Sequence, residues 1–316
     1  MLSVRVHRKW HEAEAICGFE LVDPEGGALP RFTAGAHIDV QIGDGLVRQY
    51  SICNSPSEEQ RYVIAVLHDA NSKGGSRALH EVTREGDRLA ISPPRNHFPL
   101  VPARKSLLLA GGIGVTPILC MAEHLSATGA AFEMHYCTRS QRYTAFRERI
   151  ADARFARQVQ FHYDDGPAEQ RLDLPSVLGA GGHGTHLYVC GPKGFIEAAV
   201  ATARAQGYPE NTLHREYFSA ATPRPDANAA FQIIMASTGS AYVVPHNKTI
   251  VEILRESGIK METCCNEGVC GACLTTVLAG EPDHRDSFLS DEERTQGNQI
   301  TPCCSRAKSN VLVLDL

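Results

Sequence analysis

The segment Cys265-Asn-Glu-Gly-Val-Cys270-Gly-Ala-Cys273 puts three thiols into one short loop, and a further pair, Cys303-Cys304, follows thirty positions on. The C-x4-C-x2-C spacing with a distant fourth cysteine is that of a plant-type 2Fe–2S centre, in which four thiolates hold two irons. Such a centre moves single electrons. Four cysteines also suit a structural zinc ion, but zinc sites favour two close pairs rather than three ligands crowded into one loop. Gly268 and Gly271 are expected to let the loop pass close to the inorganic sulfides and offer backbone N–H groups there. Cys264 and Cys304, each beside a candidate ligand, read as small buried hydrophobes that point elsewhere.

Three other strings have residue types suited to phosphate and nucleotide. Arg48-Gln49-Tyr50-Ser51 ends an expected strand and Gly74-Gly75-Ser76 opens a short helix. A guanidinium, two hydroxyls and helix N-terminal amides could then surround one phosphate. Leu109-Ala-Gly111-Gly112-Ile-Gly114-Val-Thr116-Pro117 reads as strand, glycine turn and helix start, the arrangement that cradles a dinucleotide. Tyr188-Val-Cys190-Gly191-Pro192 ends a second strand expected on the same sheet edge. After another strand, Thr138-Arg139-Ser140 lies where a cofactor ribose would sit, and Arg139 could accept a 2′-phosphate. Ser290-Asp-Glu-Glu293 has the form of a helix capping box, and Asp283-His284-Arg285-Asp286 that of a mixed-charge turn which could shape a docking face.

Residues 1–100 carry short alternating segments, at 4–6, 15–22, 37–42, 47–53, 62–67 and 88–91, separated by turn signals. That spacing favours an antiparallel β-barrel, capped by a helix near 76–82. From Pro102 the pattern changes to apolar strands alternating with helical runs, at 106–110, 116–126, 132–137, 187–190 and 192–205. This is an α/β domain with a parallel sheet, assigned to residues 101–222. The proline- and alanine-rich stretch between Ser219 and Ala230 reads as a linker, placed at 223–230. Residues 231–316 form a third domain with a helix over 249–257 and a terminal strand at 311–314. Its expected class is the α+β, β-grasp ferredoxin type.

The composition agrees with a multidomain globular chain. Its 316 residues are 43% hydrophobic and 21% charged, with a formal net charge of -5. Nothing basic marks a nucleic-acid partner, no apolar run spans a bilayer, and charges occupy the N-terminus where a signal peptide needs an apolar core. A cytoplasmic protein is therefore expected. Six of the eleven cysteines fall between Cys264 and Cys304, a clustering that points to a metal centre rather than to disulfides. The fourteen histidines contain no H-E-x-x-H pattern.

Taken in order, these strings, with His214-x-Glu216-x-Phe218 and Cys303-Cys-Ser-Arg306-Ala-Lys-Ser, resemble the phthalate dioxygenase reductase family over the whole chain. The resemblance implies an FMN-binding barrel, a nicotinamide-binding α/β domain and a C-terminal ferredoxin domain. It implies that Arg48, Gln49, Tyr50, Ser51, Gly74, Gly75 and Ser76, with Ala65, Val66 and Leu67, hold the flavin. It also puts Gly111, Gly112, Gly114, Arg139, Ser140, Gly191 and Pro192 at the nicotinamide cofactor. Thr116 and Cys190 would flank the nicotinamide, while Glu216 and Phe218 approach the flavin ring; Thr116, Cys190 and Glu216 are thus the catalytic candidates. Of the two terminal cysteines it selects Cys303 as fourth ligand, beside Cys265, Cys270 and Cys273.

The implied activity passes electrons from NADH through FMN and the 2Fe–2S cluster to another protein, with NADPH as the alternative coenzyme. The chain has no C-x-H paired with C-x2-H, so a Rieske centre is expected on a separate terminal oxygenase. Other acceptors, a diiron or haem monooxygenase, leave no sequence mark because docking is read by surface shape and charge. A redox sensor without turnover would need a further binding module. A monomer is expected, since one chain contains every centre.

Overall fold

A computed structural model describes residues 1–43, 46–69, 74–179, 184–218 and 229–316. Residues 219–228 of the expected linker lie outside the described residues. The chain divides into two compact units, Met1–Glu216 and Tyr217–Leu316.

The first unit opens with β1 (Leu2–Ala13), β2 (Ile16–Val22), β3 (His37–Ile42), β4 (Leu46–Ser51), β5 (Arg61–Leu67), α1 (Gly75–Glu81) and β6 (Arg88–Ile91). The strands form an antiparallel sheet in the order β4-β3-β6-β1-β2-β5. β1 is far longer than the expected 4–6 stretch. Val4 and Val6 face the core while Arg5, His7 and Arg8 look outward, so its charged residues belong to the strand's other face. Sheet closure depends on a polar device. Just past β4 the Cys53 N–H donates to Val63 O of β5 (2.9 Å), and the fully buried Asn54 carboxamide accepts from Val63 N (2.8 Å) and donates to Arg61 O (3.1 Å). Lys9, which composition alone would leave to solvent, donates Nζ to the carbonyls of Leu79, His80 and Thr83 and so caps the C-terminal end of α1.

The α/β half of this unit runs β7 (Lys105–Gly111), α2 (Val115–Thr128), β8 (Phe132–Thr138), α3 (Arg147–Ala151), β9 (Val159–Tyr163), α4 (Leu174–Leu178), β10 (Thr185–Cys190), α5 (Lys193–Ala205) and β11 (Leu213–Glu216). All five strands are parallel in the order β11-β10-β7-β8-β9. β9 escapes sequence reading because it is an edge strand whose Gln160 and His162 break the apolar run. Two histidine pairs brace neighbouring strands, His135 with His162 and His186 with His214, each with ring nitrogens 2.9 Å apart. One continuous core joins barrel and parallel sheet, from Val4 and Ile64 through Met121 to Tyr188. Glu12 fastens the seam by accepting from Trp10 Nε1 and Phe146 N, both at 2.6 Å.

The second unit contains β12 (Phe231–Met235), β13 (Ala241–Val244), α6 (Ile250–Glu256), β14 (Thr275–Ala279), β15 (Pro282–Asp283), α7 (Asp291–Gln296), β16 (Gln299–Ile300), β17 (Arg306–Ala307) and β18 (Val311–Leu314). Its main sheet is mixed, β13-β12-β18-β14-β16, with the terminal strand at its centre. Ser290 forms the expected capping box, and Thr249 forms another at the start of α6. Among the described residues no helix is long and apolar enough to cross a membrane.

Replacing Asn54 with Ala strands the Val63 N–H and the Arg61 carbonyl inside the barrel closure. The first unit should lose about 2 kcal/mol, measured by urea unfolding followed through Trp10, the chain's single tryptophan. An unchanged midpoint would mean that the barrel closes without this carboxamide.

Candidate functional site

At the rim of the barrel, α1 packs against β4 and β5. Arg48 and Tyr50 alternate on β4, and the Arg48 stem lies against Gly75, where an added Cβ would come within 2.8 Å of its Cγ. Glycine at 75 therefore lets the guanidinium's stem cross the start of α1. Gly74 just before it has a left-handed backbone, φ 105°. Ser76 Oγ accepts from Asp69 N at 3.3 Å. Burial pushes the Tyr50 hydroxyl well above its usual range, with the Arg48 charge opposing it, so Tyr50 stays a neutral donor. Gln49 turns to the other face, with its Nε2 at 3.0 Å from Asp39 Oδ1 and 3.2 Å from His37 Nε2. Its side chain does not join those of Arg48 and Tyr50. Ser51, Ala65 and Val66 are buried in the barrel wall, while Leu67 is exposed.

At the carboxyl edge of the parallel sheet, Cys190 is in register with Ala110 of β7 and with Glu216 of β11. The two glycine turns meet backbone to backbone. A Cβ on Gly114 would lie 2.3 Å from Cys190 O, and one on Gly191 would lie 2.9 Å from Gly111 Cα. Pro192 closes over Gly111 from the other side, within 2.9 Å of a Cβ there. Gly112 is different: its φ is +54° and nothing lies within 4 Å of the Cβ position, so this turn keeps open space beside it. Thr116 is buried at the start of α2 with its hydroxyl donating to Ile113 O (3.1 Å).

Glu216 is the polar anomaly of this edge. Although the residue as a whole is only half-buried, its Oε2 is shut off from water and has no hydrogen-bond partner among the described residues. Desolvation pushes its carboxyl up to about 8, and burial, with the adjacent Glu216, pushes the Cys190 thiol well above its ordinary value. Both groups are therefore protonated at neutral pH, and the carboxyl has a hydrogen to donate. Phe218 is exposed and belongs to the second unit, so it is not among the residues that the first unit brings together.

Past β8, Ser140 is buried with an unpartnered Oγ, and Arg139 beside it is exposed. Sequence reading missed two neighbours. The N–H groups of Asp164 and Asp165 donate to the carbonyls of Thr138 and Arg139, both at 3.1 Å, which puts two acidic residues on this edge.

In the second unit Cys265, Cys270, Cys273 and Cys303 are all about 5% exposed. The Cys265 thiol neighbours those of Cys270 and Cys303, and the Cys273 thiol neighbours that of Cys303, so the four are gathered in one place. Four gathered thiols are the donor set of a 2Fe–2S centre. Glu267 N and Ala272 N donate to Cys265 Sγ (3.3 Å) and Cys270 Sγ (3.4 Å), so backbone dipoles already favour thiolate there.

Cys264 is buried, as expected for a small hydrophobe, and Cys304 Sγ lies 3.3 Å from Thr301 Oγ1 and 3.8 Å from Ser305 Oγ. Gly268 and Gly271 both have φ +69°, and a Cβ on them would strike Cys304 Sγ and Phe288, each at 2.3 Å, so the protein packed on the loop also requires glycine there. In the mixed-charge turn Asp286 is 4% exposed.

Comparison with known proteins agrees with this architecture. Residues 234–308 match the 2Fe-2S iron-sulfur cluster binding domain family. A vanillate O-demethylase oxidoreductase of Pseudomonas putida is 50% identical over 318 aligned residues, covering all of both chains. The solved phthalate dioxygenase reductase, described as a modular structure for electron transfer from pyridine nucleotides to 2Fe–2S, is 39% identical with a TM-score of 0.78. The match covers 100% of this chain and 98% of that one. A self-sufficient type IV cytochrome P450 monooxygenase is 37% identical with a TM-score of 0.85, over all of this chain and 41% of the other.

The buried Glu216 carboxyl makes stability pH-dependent. Its folded value, about 8, exceeds the ordinary 4.5, so the stability it contributes is full below pH 4.5 and is lost as pH rises toward 8. E216Q should therefore gain on the parent steadily between pH 5 and 8 in urea midpoint, and equal slopes for the two proteins would show that the carboxyl ionises normally.

On full-length identity and shared architecture, the chain belongs to the phthalate dioxygenase reductase family of flavin and iron–sulfur oxidoreductases.

Proposed function

We propose that this protein is the NADH-dependent reductase of a Rieske-type aromatic oxygenase or demethylase system, delivering electrons through FMN and a 2Fe–2S cluster to a separate oxygenase. The observation that carries the reading is the gathering of four buried thiols, Cys265, Cys270, Cys273 and Cys303, in a chain that also has the barrel and parallel sheet of a flavin and nicotinamide reductase.

When bound, the flavin converts a two-electron hydride input into one-electron output and the cluster relays single electrons. The chain's own residues position and exclude. Arg48 binds the flavin phosphate as a fixed cation beside Ser76, and Tyr50 and Ser51 line the rim with neutral hydroxyls. The Gly111–Gly114 turn, opened at Gly112, receives the nicotinamide cofactor at the carboxyl edge. Thr116 and Cys190 bound the reacting ring, and Glu216 donates from its protonated carboxyl. Cys265, Cys270, Cys273 and Cys303 ligate the irons.

Arg139 is the candidate for a 2′-phosphate contact after β8, and Asp164 and Asp165 stand beside it. Acidic residues at that edge oppose a 2′-phosphate and accept from a ribose hydroxyl, which supports NADH. Relatives that serve vanillate demethylation and phthalate dioxygenation support the Rieske partner, and the likeness to a cytochrome P450 fusion supports a haem acceptor as the second reading. Reduction of purified oxygenases of each class separates them. The reading takes the protein to be monomeric and cytoplasmic.

Anaerobically purified protein should contain FMN and about two irons per chain and bleach on NADH; a colourless zinc protein would refute the assignment. Replacing Cys270 with Ser should abolish cluster absorbance and cytochrome c reduction while flavin reduction by NADH continues. Cytochrome c reduction that survives would break the proposed route. Arg48→Ala should weaken FMN retention on gel filtration by roughly tenfold or more, as expected for a charge-assisted phosphate contact, and full retention would remove Arg48 from the site.

A further inference from the structure

The segment after β15 touches both stretches that bear the cysteine ligands. Ser287 N donates to Gly268 O (2.9 Å), between Cys265 and Cys270, and the Phe288 ring lies against Gly271, between Cys270 and Cys273. Arg285 N donates to Ser305 Oγ (3.1 Å), which also pairs with Thr301 Oγ1 (2.9 Å) across the turn that carries Cys303. Asp286 organises this segment. Its Oδ2 accepts from Phe288 N (3.1 Å) and Leu289 N (2.8 Å), and its Oδ1 accepts from Ser305 Oγ (3.3 Å).

The Asp286 side chain is fully buried, and the Arg294 guanidinium is held against it, donating Nη2 to the Asp286 carbonyl at 2.6 Å. Arg294 Nη2 is 3.8 Å from Oδ2 and His284 Nδ1 is 3.7 Å from Oδ1. Three hydrogen-bond donors thus converge on one buried side chain. Hydrogen bonds and burial of this kind are what set cluster geometry and potential from outside the ligand shell.

We propose that Asp286 is the positioning residue of the 2Fe–2S site: its carboxylate ties the 265–273 loop to the Cys303 turn, and its buried negative charge makes the cluster harder to reduce. The proposal rests on the reading of the four cysteines as cluster ligands. One-electron reduction adds negative charge to the cluster, and a fixed negative charge behind the loop opposes that addition. Ligand distance and charge then act through one side chain.

The test compares the full-length parent with D286A, D286N and, as an exposed acidic control, D291N. Iron, acid-labile sulfide and flavin contents are measured separately, followed by the cluster's midpoint potential and the EPR spectrum of the reduced protein. A parent without iron and sulfide refutes the ligand reading itself, whereas the variants judge Asp286. D286A should lose iron several-fold with flavin content unchanged. D286N keeps one amide oxygen to accept from Phe288 N and Leu289 N, presents an NH2 donor to Ser305 Oγ, which can accept, and removes the charge. It should load iron like the parent and reduce about tenfold more readily, a rise of about 59 mV for one electron, while D291N stays at the parent's value. D286A with parental iron content, or D286N with the parent's potential or with iron lost as in D286A, overturns the proposal.

Discussion

Close approaches that leave no room for a Cβ are the constraint on which both candidate functional regions of this protein depend. At the carboxyl edge of the parallel sheet, Gly114 lies under the Cys190 carbonyl and Gly191 against Gly111, closer than any Cβ allows. At the cysteine loop, Gly268 and Gly271 fold under Cys304, Asp286 and Phe288 in a left-handed conformation. In each place the contact brings chemistry-bearing residues from distant parts of the chain into reach. Cys190, Thr116 and Glu216 depend on the first approach, and the four thiols on the second.

Around these crossings the polar groups are used sparingly and are mostly satisfied. Asn54 replaces a missing ladder pair and lets the barrel close, Lys9 caps α1 through three carbonyls, and Glu12 ties Trp10 to the Phe146 turn. Each fixes an element that in turn holds a candidate site residue, α1 for Gly75 and Ser76 and β4 for Arg48. Against this background an unpartnered buried atom stands out as a binding signal. Glu216 Oε2 and Ser140 Oγ are two such atoms, and both lie on the sheet edge where the nicotinamide cofactor is proposed to bind.

The two halves of the first unit share one core, so the barrel and the parallel sheet are not independently packed bodies. A shared core suits a reaction in which two bound rings must meet at fixed separation, because packed interiors do not deform continuously. The second unit has its own core around Ile233, Leu254 and Leu312, and the candidate ligands Cys273 and Cys303 pack beside it with Val251, Met261 touching both groups.

Spacing alone was enough to identify the iron–sulfur loop, because three thiols on nine residues are a local pattern that needs no tertiary partner. The same holds for the capping box at Ser290, and for β6 and β18, whose bounds follow from a short run of alternating or apolar residues. What the sequence left open were features whose partners are remote in the chain. Gln49 reads as part of a phosphate motif, yet alternation along β4 turns it to His37 and Asp39. Asp286 reads only as one charge of a turn that could shape a docking face, yet it is buried where Ser305, nineteen residues away, donates to it. Asp164 and Asp165 carry no motif and matter only because β9 lies beside β8. Local chemistry is written in residue type and spacing, whereas burial and charge pairing arise only when the folded chain decides which distant backbone each side chain meets.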